Sequence, residues 1–229
     1  MTDEETAAPI GTRPLVMLDH DGVLVDSLDV FAPALIEACA RAGVPNVTSR
    51  EQVLALYDGN VFESLRRLGA SGAAVREAVD AANRALHDAV PYLRAFPLMP
   101  EVVRRLATVR HVVIVTSNAE RVVRDFLDLH GVTGADILGA ESGHSKVAKI
   151  QRLLNEHPDG QPPWFVSDTA GDMREARRAG ATPLGVAWGW HDLTRLRAAG
   201  AEAVVESPQE LLALVAPELA PPPARRHDV

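Results

Sequence analysis

Six short apolar runs punctuate the chain: Leu15 to Asp19 (LVMLD), His111 to Thr116 (HVVIVT), Ala135 to Leu138 (ADIL), Trp164 to Asp168 (WFVSD), Pro183 to Ala187 (PLGVA) and Ala203 to Val205 (AVV). Runs of this length, β-branched or apolar throughout, read as strands buried on both faces, and each precedes a stretch with helical spacing of its apolar positions. The alternation predicts an α/β fold with a doubly wound parallel sheet. It fails once, between Ser27 and Pro97, where four helical stretches follow one another without a strand pattern. They are Leu28 to Ala42, Ser49 to Tyr57, Asn60 to Leu68 and Ser71 to Val90, parted by AGVPN, DG and GASG breakers, with Ser49 and Gln52 spaced as a capping box. The pattern therefore predicts an α/β core over 14–27 and 97–216, an inserted helical cap over 28–96, and flexible tails over 1–13 and 217–229, the second rich in proline.

Composition narrows the partners. The 229 residues are 47% hydrophobic, enough for a sizeable core, and 23 basic against 31 acidic side chains leave a net charge of −8. That balance argues against nucleic acid or an anionic membrane as partner. The single cysteine, Cys39, lies on an apolar helix face and reads as a packed thiol; it cannot form an internal disulfide. The leading MTDEETAAPIGTRP has no apolar run behind it, so a cytoplasmic protein without signal peptide, monomer or homodimer, is expected. Only Lys146 and Lys149 are lysines, and chemistry needing a lysine earlier in the chain is excluded.

Chemistry collects where the strands end, which in an open α/β sheet is where ligands bind. The first strand runs into Asp19-His20-Asp21-Gly22, the second into Thr116-Ser117-Asn118, and the fourth into Ser167-Asp168-Thr169-Ala170-Gly171-Asp172, while Lys146 opens a helix after Gly143-His144-Ser145. Two acidic clusters, a hydroxyl and amide cluster suited to an oxyanion, and one of two lysines would share one edge of one sheet. The eight histidines form no metal-binding pair on a helix.

In this order, Asp19-x-Asp21-Gly-Val, Thr116-Ser117-Asn118, Lys146 and Ser-Asp168-x-x-x-Asp172 resemble the four motifs of the haloacid dehalogenase superfamily over roughly residues 15 to 215. DGVLVDS, VTSN and GVAWGW are similar to its phosphoglycolate phosphatase-like branch. Ser167 stands where that family usually has Gly, where it could tighten the loop holding Asp168; His20 replaces an apolar residue and could place a titratable group beside the phosphate.

The resemblance implies a Mg²⁺-dependent phosphatase acting on a small phosphorylated metabolite through an aspartyl phosphate. Asp19 is then the nucleophile and Asp21 the general acid and base. Mg²⁺ would take the carboxylates of Asp19 and Asp168 and the backbone carbonyl of Asp21, with Asp172 one step outside those ligands. Thr116, the Ser117 N–H, Asn118 and Lys146 would receive the phosphate, with Lys149 facing solvent. Tyr57, Asn60 and Arg66 of the cap are candidates for the leaving group, although the Arg66-Arg67 pair also reads as a solvated surface. Trp188 and Trp190 either wall the site or cover the sheet edge.

Ninety-seven positions separate Asp19 from Thr116 and 30 separate Thr116 from Lys146, leaving room for a cap only after the first motif. The absence of a cap lysine excludes a phosphonoacetaldehyde hydrolase, and Asp21 argues against dehalogenation. A β-phosphoglucomutase would share every core residue named. A phospho-accepting receiver domain, or a ligand-binding relative without catalysis, is the alternative from another class; the receiver would lack both the helical insert and Asp21.

Overall fold

The computed structural model describes residues 13–143, 145–158 and 162–219. The expected tails over 1–12 and 220–229 lie outside the described residues. Six parallel strands form one sheet in the order β5-β4-β1-β6-β7-β8: β1 Leu15–Leu18, β4 His111–Val115, β5 Ala135–Leu138, β6 Trp164–Ser167, β7 Thr182–Val186 and β8 Ala203–Val205. Alternation within β1 shows how the layers form. Val16 and Leu18 pack with residues of α5 (Met99–Val109), α6 (Glu120–Leu129) and α10 (Pro208–Val215), whereas Leu15 and Met17 pack with α7 (Lys146–Glu156) and α8 (Ala170–Ala179) on the other face. A further helix, α9 (Leu193–Ala198), lies against α8.

The helical insertion comprises α1 (Leu28–Arg41), α2 (Arg50–Leu56), α3 (Val61–Arg67) and α4 (Gly72–Ala89). Its main contact is α1 against α4, through one face of each: Leu28, Phe31, Leu35 and Cys39 on the first, Val75, Val79, Ala82 and Leu86 on the second. Ser49 and Gln52 form the expected capping box at the start of α2, and Cys39 is a buried thiol.

Three details differ from the pattern reading. Two short strands, β2 (Val25–Asp26) and β3 (Arg94–Ala95), pair antiparallel at the base of the insertion; two-residue strands are too short to leave a period-2 signature. The ladders of β1, β4 and β6 stop one residue early, so Asp19, Thr116 and Asp168 stand just beyond their strands. Residues Pro217–Leu219 form a 3₁₀ turn rather than loose tail, because Arg110 pairs with Glu218 and Arg105 donates to the Leu219 carbonyl.

Candidate active site

β1 is flanked by β4 and β6, so the carboxyl ends of these three strands open side by side. Asp19 is buried and held at both carboxylate oxygens. The His20 backbone N–H donates to Oδ1 at 2.8 Å and Lys146 Nζ to Oδ2 at 2.6 Å. The same ammonium donates to Asp172 Oδ2 at 2.7 Å, which also accepts from Ser167 Oγ at 2.6 Å. Burial pushes the Asp19 carboxyl well above the ordinary range, with Lys146 opposing and Asp172 and Asp168 reinforcing. Asp172 shares that burial but is held low by Lys146 and its hydrogen bonds. Lys146 also resists burial, since Asp172 and Asp19 keep it charged and raise its pKa.

Asp21 lies on the same turn. Its Oδ2 accepts from Asn118 Nδ2 at 2.6 Å, with His20 Nδ1 3.7 Å away. Burial raises its carboxyl, but hydrogen bonding and the imidazole outweigh that and leave it lowered. Gly22 makes the turn possible twice over: its φ is +72°, and a Cβ there would lie 1.7 Å from Asp168 Oδ2. Asp168 Oδ2 accepts from the Trp190 backbone N–H at 2.7 Å, while its Oδ1 is buried without a partner among the described residues. Burial raises this carboxyl to about 7, with Asp172 adding to the effect.

The Asp19, Asp21, Thr116, Ser117, Lys146 and Asp168 side chains line one cavity of about 80 Å³, closed from above by Tyr57, Asn60 and Phe62 of the insertion. The insertion is docked at several points. Gly171 N–H donates to the Tyr57 carbonyl at 2.8 Å, Asn60 Nδ2 to Glu175 Oε1 at 3.2 Å, and Arg195 Nε to Asp58 Oδ1 at 2.7 Å. The buried His191 ring accepts from Ala170 N–H at 2.9 Å and donates to the Leu54 carbonyl at 2.9 Å, joining α8 to the insertion.

The family model for haloacid dehalogenase-like hydrolases matches residues 16–186. The chain belongs to this family. A phosphoglycolate phosphatase of Synechococcus elongatus is 25% identical to this hydrolase over 206 residues, covering 87% of this chain and 96% of its own. Another, from Vibrio parahaemolyticus, is 28% identical over 221 residues, covering 88% and 96%. Among solved structures, a hydrolase from Pseudomonas syringae superposes with a TM-score of 0.73 at 20% identity, over 91% of this chain and 100% of its own. The first two relatives are phosphoglycolate phosphatases by name, and the chain is similar to each over most of its length.

The hydrolase departs from the sequence expectations at several residues. Lys149 does not face solvent: it is buried, and its Nζ donates to the Thr116 carbonyl at 2.6 Å, fixing the turn after β4. Burial, with Lys146 nearby, lowers it to about 8. Asn118 lines the cavity, but its amide is committed to Asp21, since the helix entry points it across to the β1 turn. Arg66 is exposed and outside the cavity, because Leu65 takes the buried position of α3 and the next residue points away.

Ser167 does not brace Asp168; its hydroxyl reaches Asp172 instead. His20 lies behind the β1 turn with its ring edge-on to Phe126, 5.1 Å between centroids, and does not line the cavity. Trp190 meets Tyr57 edge-on and Phe31 at a tilt in the cavity wall, whereas Trp188 donates to the Val23 carbonyl. Tyr57 and Asn60 line the cavity. His191 and Glu175 gave no sequence signal, since both act only through contacts formed on folding.

A hard cation fits the donor set. Asp168 Oδ1 is an orphaned, buried oxygen beside the Asp21-Gly22 turn, and it and Asp19 are two carboxylates whose ionisation burial opposes. Among the described residues no three acidic, imidazole or thiol side chains form a ligand cage.

Proposed function

We propose that this hydrolase is a Mg²⁺-dependent phosphatase that cleaves a small phosphate monoester, with residues 28–96 acting as its cap and the cytoplasm as its setting. The observation that carries the reading is the Asp19 carboxylate, oriented at both oxygens by Lys146 and the His20 N–H, on the same turn as Asp21 in a cavity that also holds Thr116. Asp19 attacks phosphorus as the ester P–O bond breaks, giving an aspartyl phosphate, and Asp21, which must first take up a proton against the lowering set by His20 and Asn118, protonates the departing oxygen. With that alcohol gone, Asp21 takes a proton from water, which attacks the acyl phosphate and returns the Asp19 carboxylate and inorganic phosphate.

Thr116 Oγ1 and the Ser117 N–H would donate to the phosphoryl oxygens, and Lys146 would offset their charge. Lys149 acts behind Thr116 by holding its carbonyl, and Asn118 behind Asp21. Mg²⁺, when bound by the Asp19 and Asp168 carboxylates and the Asp21 carbonyl, supplies the charge that allows an anionic nucleophile to approach an anionic phosphoryl group. Asp172 then keeps Lys146 in place from outside that set.

Turnover of p-nitrophenyl phosphate tests the reading. Activity should require Mg²⁺, vanish in EDTA and be inhibited by Ca²⁺, whose larger and looser shell misplaces the nucleophile. Asp19→Asn should lose at least about a hundredfold in kcat. Full activity after verified metal removal, or an Asp19→Asn variant close to wild type, counts against the mechanism. Asp21→Asn should keep its backbone carbonyl for the metal and lose far more activity on alkyl than on aryl phosphates, whose leaving groups need little protonation.

A further inference from the structure

Beyond the phosphoryl end, the cavity carries one more acid. Glu175 of α8 is 9% exposed, lines the cavity, and accepts from Asn60 Nδ2 across the junction between core and insertion. Asn60 Oδ1 is already occupied by the Phe62 N–H, so Asn60 holds the carboxylate in place and leaves its remaining lone pairs free. Lys146 is the only Lys or Arg among the described residues lining this cavity, and it is committed to Asp19 and Asp172. Trp190, from the same wall, has a buried indole N–H without an acceptor among the described residues.

A leaving group bearing a carboxylate would therefore enter a confined space beside Glu175 in which the lining offers no uncommitted cation, at a cost that burial increases. Arg67, Arg174 and Arg178 line the adjoining hollow that Glu175 also borders. A hydroxyl suits either group, since it can donate to the carboxylate or accept from the indole, whereas an ammonium can only donate. Arg84 and Arg121 line a separate depression that shares Asn83 and Ser117 with the cavity wall.

Resting on the phosphatase reading above, we propose that Glu175 is a specificity-determining residue that selects phosphate monoesters with an uncharged, hydroxylated leaving group, of polyol or sugar type, and rejects those bearing a carboxylate near the ester. A site that hydrogen-bonds a substrate hydroxyl discriminates more strongly than an apolar one, because an unmatched partner is left buried.

The test compares kcat/KM of the full-length enzyme with Mg²⁺ on glycerol 3-phosphate, phosphoethanolamine and 2-phosphoglycolate. Glycerol 3-phosphate should lead 2-phosphoglycolate by about tenfold or more and also exceed phosphoethanolamine. Glu175→Gln, which preserves shape and an acceptor for Asn60, should narrow the first ratio at least about threefold by lifting the repulsion. Preference for 2-phosphoglycolate or for the amine, or a ratio unchanged in Glu175→Gln, overturns the proposal while leaving the phosphatase intact. If p-nitrophenyl phosphate also goes unhydrolysed, the phosphatase reading itself fails. A rise in KM for 2-phosphoglycolate alone in Arg84→Ala or Arg121→Ala would show that a carboxylate is recognised after all, and would sink the selector.

Discussion

At Asp168 burial and charge conflict directly. In the folded chain its carboxyl keeps a proton up to about 7 against 3.8 ordinarily, so it contributes stability that is complete below about pH 4 and is lost as pH rises through about 7. A cation on Asp168 Oδ1 removes that penalty, and it binds the ionised form. Mg²⁺ should thus raise Tm more at pH 8 than at pH 5, and Asp168→Asn should abolish the difference; equal shifts at both pH values, measured by differential scanning fluorimetry, would count against this. The acids of this site were legible because they follow apolar runs directly. Lys149 was not: spacing placed it one turn from Lys146, but only the position of the Thr116 carbonyl decides that it turns inward.

At the scale of elements, the junction between α8 and the insertion depends on one missing side chain. A Cβ on Gly171 would sit 2.6 Å from the Gly59 carbonyl and 2.9 Å from that of Tyr57. Both are backbone atoms that cannot swing aside. Gly171→Ala should lift the insertion from α8 and cost about tenfold or more in kcat/KM for the reasons that lid positioning affects catalysis, with KM rising and the sheet unperturbed by circular dichroism. Ser49→Ala, by contrast, removes a cap remote from the cavity and should cost about 1 kcal/mol in urea unfolding with little change in KM. The capping box was readable from Ser49 and Gln52 because it is local. The β2–β3 pair was not, since Val25 and Ala95 are paired across the four helices that lie between them in sequence.

For the whole molecule, the strand and helix alternation gave the layer architecture because each run must bury two faces, whereas sheet order required pairings that no local pattern encodes. The C-terminal turn is an example of such long-range closure. Arg110 donates to the Val215 carbonyl and pairs with Glu218, and Arg105 reaches Leu219. Ending the chain at Ala216 should therefore lower Tm by roughly 2–4 °C, the shift expected for about 1 kcal/mol in a domain of this size, without altering kcat; an unchanged melting curve would show these contacts contribute nothing net.

The small antiparallel pair at the foot of the insertion has a kinetic meaning as well. β1 cannot join β4 until the chain has returned from an excursion of the roughly ninety residues between them, and an unstructured loop of that length carries a large closure entropy. With Val25 against Ala95 and Asp26 against Arg94, the excursion is pinched shut at its base. The central strands then face a search across a short gap, and the excursion itself can fold through local helical contacts. The seam that carries Asp19 and Thr116 would accordingly form fast for so distant a pairing, and loosening the pinch should slow folding more than it speeds unfolding.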